Sequence, residues 1–317
     1  SSRRRHTRYI SVTGVQTCAL PIFFSQNPFI DLDNAQRCFN EYGKNKTNQS
    51  ILDSAKFYID RAVEDPDLAT SGLAYNYRGA IYKELYKARE NNDFNSSYRA
   101  RSVEYFLRSN ELDTTTKNRE IVKQQIKWLA IQFNNDAKKM LEREINIEAA
   151  EKSFKEFCRL ILIYDTNFNI RPKEIEFQLA CGSALQEKAQ NAEKKEFYDL
   201  AKVAYFRVLD MDSTNNDANY NLGIIYYNQG ANLIMKVLDF DTPIDSISIF
   251  DDMAKKFFTQ AKPYMLKASK KPNCMKVIEG LMGIYYSLND DENYKKIKEI
   301  FDKIKSDIDA GLVKEEC

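Results

Sequence analysis

Residues 201–227 read AKVAYFRVLDMDSTNNDANYNLGIIYY, and they contain two helices and the turn that joins them. Ala201, Tyr205 and Val208 follow one another at spacings of four and three, which places them on one face of a helix. After the polar break around Asp212, Leu222-Gly223 opens a second apolar face, with Tyr226 three positions beyond the glycine. A glycine inside a helix costs about 1 kcal/mol relative to alanine. A neighbouring helix that approaches closely would justify it, with the residue three positions on packing on the same face.

Both signatures recur along the chain. Glycine followed at the third position by an aromatic or apolar residue is found at Gly79 with Tyr82, Gly182 with Leu185, Gly223 with Tyr226 and Gly283 with Tyr286. Ala130 with Phe133 is the same arrangement with alanine in the glycine's place. The intervening helices alternate small and large residues: Ala55-x3-Ile59-x2-Ala62, Ser102-x3-Phe106-x2-Ser109 and Ala261-x3-Met265-x2-Ala268 repeat the Ala201 pattern. The periodicity predicts helices at 32–43, 49–64, 69–90, 96–112, 116–142, 147–164, 173–190, 194–211, 216–238, 246–270, 274–289 and 292–307. Residues 239–249 (DFDTPIDSISI) are the least regular and read as an insertion. No long linker interrupts residues 23–317, so the expectation is an all-α fold, one continuous array of antiparallel helix pairs.

At these residues the chain resembles the tetratricopeptide repeat family. Leu222-Gly223-x2-Tyr226 is similar to that family's first helix, and Ala201-x3-Tyr205-x2-Val208 with Asp210-Met211-Asp212 to its second helix and exit turn. The spacing differs: the signature positions 79, 130, 182, 223 and 283 lie about 51, 52, 41 and 60 residues apart, against about 34 in the family. The resemblance implies a right-handed superhelical solenoid of five or six repeats whose first helices line a concave groove. Groove positions then fall three before and one, four and five after the signature residue. They include Asn76, Lys83, Lys127, Asn134, Ser183, Gln186, Tyr220, Tyr227 and Asn228. Asparagine can bond both backbone groups of an extended peptide, and tyrosine adds contact area at low entropic cost. The expected occupant is a protein or peptide segment held at roughly micromolar strength. Asn76, Lys83, Lys127 and Asn134 also make a loose version of the family's carboxylate clamp, lacking an arginine.

Residues 1–22 stand apart. Residues 2–8 (SRRRHTR) and 12–22 (VTGVQTCALPI) are what the two halves of a common sequencing adapter would encode, in order and in frame. We therefore expect residues 1–22 to be non-native. Setting aside their four arginines leaves 43 bases against 46 acids, a net charge near −3 that does not favour nucleic-acid binding. The single histidine, His6, goes with them. Histidine-based triads and HExxH metal sites are then excluded, and no GxSxG, P-loop or GxGxxG motif occurs. The remaining cysteines are scattered without a CxxC pair, which fits small apolar residues better than a disulfide framework or a zinc site. No cofactor or metal is expected. Asp210-Met211-Asp212 has a faint calcium-loop look but lacks its glycine and closing glutamate. No apolar run is long enough to span a membrane. Residues 22–26 (IFFSQ) could be the tail of a clipped signal peptide, which would make the protein exported; a cytoplasmic location is the alternative. The expected function is that of a non-enzymatic binding scaffold. A carboxylate-based enzyme acting on envelope polysaccharide and a purely architectural subunit are the alternatives.

Overall fold

A computed structural model of the chain describes residues 28–91, 93–113, 115–192, 195–237, 243–270 and 273–315. Among these the fold is all-helical. The α-helices are α1 (Pro28–Lys44), α2 (Gln49–Ala62), α3 (Gly72–Leu85), α4 (Ser97–Leu112), α5 (Thr116–Lys139) and α6 (Ile147–Tyr164), followed by α7 (Arg171–Ala192), α8 (Lys195–Met211), α9 (Asn216–Val237), α10 (Ile244–Ala268), α11 (Met275–Ser287) and α12 (Asp291–Asp309). Helices α3 and α5 each continue into one wide π turn, Tyr86–Glu90 and Met140–Glu144. One expectation needs correction: residues 244–249 are not irregular but form the first turns of α10. Pro243, with φ −58° and ψ 135°, is extended and stands at the N-cap, so the helix begins on the residue after it. Residues 239–242 of the expected insertion, and residues 1–22, lie outside the described residues.

The connections reuse one device. An aspartate at the exit of a helix accepts a hydrogen bond from the backbone N–H two residues on, at Asp65, Asp93, Asp113, Asp165 and Asp212. This local turn competes with further helix and so ends it. Hydrogen bonds from Thr214 hold the Asp212 carboxyl below its usual range. The faint calcium-loop pattern is therefore an exit turn. Ser71, Ser96, Asn146 and Asp290 cap the helices that follow them through their side-chain oxygens.

The chain divides into two compact units, meeting in sequence at Val122 and Lys123. In the first, Leu32, Ala35, Leu52, Ala55, Ile59 and Ala62 are buried together where α1 meets α2. The guanidinium of Arg61 forks onto the buried carboxylate of Asp31 across this pair. Helices α3 and α4 run antiparallel: Gly72 lies against Asp113 and Gly79 against Phe106. Ser102 Oγ donates to the Gly79 carbonyl at 2.9 Å and Ser109 Oγ to the Gly72 carbonyl at 2.7 Å. The small residues of α4 are therefore both spacers and donors.

In the second unit α7 and α8 are also antiparallel, with Gly182 against Tyr205 and Lys188 over the ring of Phe197. Helices α9 and α10 follow suit, Gly223 lying against Met265 and Gly230 against Phe258. Added Cβ atoms on Gly79, Gly182 and Gly223 would stand 2.8, 2.5 and 2.7 Å from Phe106, Tyr205 and Met265, well inside van der Waals contact. Close helix approach is thus the reason for these glycines. Ala130 is fully buried in the corresponding place on α5.

The residue three positions on behaves as expected in three helices and not in the fourth. Tyr82 is fully buried against Tyr98 and Tyr105, Leu185 is buried, and Tyr226 stacks on Tyr264. Tyr286 is 73% exposed. Its ring meets that of Tyr294 at 6.1 Å, where Tyr82 is enclosed by two rings. Gly283 is approached by the Tyr227 hydroxyl of α9, and Gly280 of α11 faces Met265. Met265 is therefore wedged between glycines of α9 and α11. Cys181 is buried as a small apolar residue would be, and burial pushes its thiol up to about 12. Cys274 departs from that expectation, since it is disulfide-bonded.

Candidate functional site

Helices α5, α7, α9 and α11 carry the signature small residues, and two cavities of the second unit open on them. The first, about 330 Å³, lies between the end of α5 and α7. Asn134, Lys138, Leu141 and Glu142 form its α5 side. The α7 side presents Glu176, Phe177, Ala180, Ala184 and Glu187 at helical spacing. The second cavity, about 370 Å³, lies beyond α7, with Asp217, Tyr220 and Asn221 of α9 and Lys276 and Val277 of α11 on its walls. Ala180 and Ser183 line both, so α7 carries a shared wall and the two cavities adjoin.

The π turn that ends α5 shapes the first cavity. It brings Leu141 to the wall and Glu142 to the rim, and the wide turn is closed by Ile145 in the left-handed region at φ 47°, ψ 41°. The Ile145 N–H returns to the Met140 carbonyl, as does the Asn146 N–H at 3.1 Å, so that carbonyl is satisfied at the helix end. Glycine normally occupies such a position, and a β-branched residue there is strained. Within the cavity, Glu176 accepts hydrogen bonds from Lys138 at 2.5 Å and Lys173 at 2.8 Å. These two ammonium groups hold its carboxyl below the usual range. In the second cavity, burial raises the Tyr220 phenol, helped by the charge of Glu279.

The expected groove residues separate into distinct places. Asn134 lines the first cavity and Tyr220 the second, with Ser183 on both. Three others pack within the array instead. Lys127 Nζ donates to the Tyr164 hydroxyl at 3.2 Å and sits 4.6 Å from that ring's centre. Gln186 accepts from the Tyr205 hydroxyl at 3.2 Å, on the α8 side of α7. Tyr227 lies 5.5 Å from Phe258 with its hydroxyl against Gly283. Asn228 is half-buried on α9, and Asn76 and Lys83 are half-buried on α3 in the first unit. Desolvation lowers the Lys83 ammonium's affinity for its proton, against the opposing pull of Glu84.

The position four after the signature residue thus turns toward the neighbouring helix in α7 and α9, while positions two before it, Ala180 and Asn221, face the cavities. Lys138, Glu142, Phe177, Asp217 and Lys276 are lining residues that the family spacing does not reach, whereas Glu187, five after Gly182, falls on it. The run Lys173, Glu176, Ala180, Glu187 on one face of α7 was the available signal in the sequence. Among the described residues no group of three or more histidine, cysteine, aspartate or glutamate side chains is placed to hold a metal ion. None of the helices described is long and apolar enough to cross a membrane.

The site is therefore a pair of adjoining, partly apolar recesses on an all-helical paired array. No known protein family matches the chain, and no curated protein matches it either.

Proposed function

We propose that the chain is a right-handed superhelical solenoid of tetratricopeptide type that binds an extended protein or peptide segment on its first-type helices. The observation that carries this reading is the adjoining of the two cavities through Ala180 and Ser183 on α7. Two recesses that adjoin along α7 suit an extended chain better than a compact small molecule. The packing of Gly79, Gly182 and Gly223 on Phe106, Tyr205 and Met265 supports the repeat assignment, since it gives the recurring sequence signature a physical cause. The protein acts by binding and not by catalysis. In the first cavity the carboxyl with a lowered pKa, Glu176, is committed to two lysines, the reverse of a carboxyl kept protonated for acid catalysis.

The test is selection from a displayed library of random twelve-residue peptides, with binding of recovered sequences read by fluorescence anisotropy. Ala180→Trp fills the shared wall and should abolish binding of peptides that the unmodified chain holds at roughly micromolar Kd. Recovered peptides that bind the variant equally well, or none recovered, would refute the groove.

A further inference from the structure

The first cavity carries more carboxylate than it neutralises. Glu142 comes from the π turn after α5 and Glu187 from the far end of the same α7 face, and both are exposed at the rim. The two lysines that share the cavity, Lys138 and Lys173, are both drawn onto Glu176. Among the described residues no cation pairs with Glu142 or Glu187. Three carboxylates thus face two ammonium groups, and the surplus charge sits at the rim. Beneath it the walls are apolar: Leu141, Phe177 and Ala184 are buried, their remaining surface turned to the cavity. A carboxylate rim over an apolar wall matches a side chain with an aliphatic stem and a cationic head.

We propose that this cavity receives a lysine or arginine side chain of the bound peptide, its stem on Leu141 and Phe177 and its head between Glu142 and Glu187. The assignment rests on the peptide-groove reading above and adds the chemistry of one subsite. The volume, about 330 Å³, is at the lower end of the range for small-ligand sites and suits one long side chain. Position is set by the backbone. The π turn places Glu142, and Ile145 is held left-handed to close that turn. Wide turns and strained residues of this kind gather at binding sites. Arginine can in addition engage a carboxylate with two parallel bonds.

The peptides recovered from the library decide the matter. Those sensitive to Ala180→Trp should be enriched in lysine or arginine next to an apolar residue. Their Kd should weaken about tenfold in the E142Q/E187Q variant, as expected for two rim charges, and also between 50 and 500 mM salt in the unmodified chain. Identical thermal melts of variant and parent establish that the fold is kept. Peptides that are sensitive to Ala180→Trp but lack a basic residue, or bind E142Q/E187Q unchanged, overturn this subsite and leave the groove standing. Absence of any Ala180→Trp-sensitive peptide overturns both.

Discussion

Replacing Gly79 by alanine tests the packing that defines the helix pairs. An added Cβ would lie 2.8 Å from Phe106 Cδ1 and 2.9 Å from both Cε1 and Cγ, against an optimum near 3.5–4.0 Å. Phe106 is fully buried, so the ring has little room to retreat. The α3 backbone cannot yield easily either, because Ser102 holds the Gly79 carbonyl at 2.9 Å. Overpacking of this kind costs about 1–3 kcal/mol. The better helix propensity of alanine returns about 1 kcal/mol. The net expectation is a loss of about 1 kcal/mol. The sign should reverse in a Phe106→Leu background, where the smaller side chain leaves space and only the propensity gain remains. The assay is urea unfolding followed by circular dichroism for the four members of the cycle, comparing midpoints at constant m. If Gly79→Ala stabilises the parent as much as it stabilises Phe106→Leu, close approach is not why position 79 is glycine.

Further expectations follow from single features. Ile145→Gly should raise stability by about 0.5–1 kcal/mol in urea unfolding, since it relieves a left-handed β-branched residue; a loss of 1 kcal/mol or more would show that the side chain's burial outweighs the strain. Ser102→Ala should cost about 1 kcal/mol, since it removes a buried donor to the Gly79 carbonyl; an unchanged urea midpoint would count against that bond. Burial pushes the Tyr105 and Tyr205 phenols up to about 12 from an ordinary value of 10.0. The folded state keeps protons that the unfolded chain would release, so their contribution is fully present below pH 10 and is lost as pH rises toward 12. Stability measured from pH 9 to 12 should fall less steeply in the Tyr105→Phe/Tyr205→Phe variant, and an identical slope would be the contrary result.

Helix order and pairing were legible because they depend on local periodicity. Gly79, Gly182 and Gly223 announced close contacts, since a helix tolerates interior glycine only where something needs the space. Helix α1 buries an alanine, Ala35, which carries no propensity penalty and so signals close approach more weakly than a glycine does. Residues 244 and 245, ahead of the expected helix at 246–270, escaped for another reason: Pro243 reads equally as a breaker and as a helix start, and only the packed α10 shows which.

The binding surface was less legible. Rotation of a helix about its axis decides which residues face a cavity, and a step of one residue turns the side chain by about 100°. Family spacing placed Gln186 and Tyr227 in the groove, but long helices carry them onto Tyr205 and Gly283. The recurring pair of a small-residue helix and its interlocking partner, from 201–227 outward, was determined by sequence because each contact there joins neighbours along the chain. The cavities, the surplus of carboxylate at Glu142 and Glu187, and the left-handed Ile145 were decided only in the tertiary structure. They depend on the phase between α5, α7 and α9, and no local pattern encodes it.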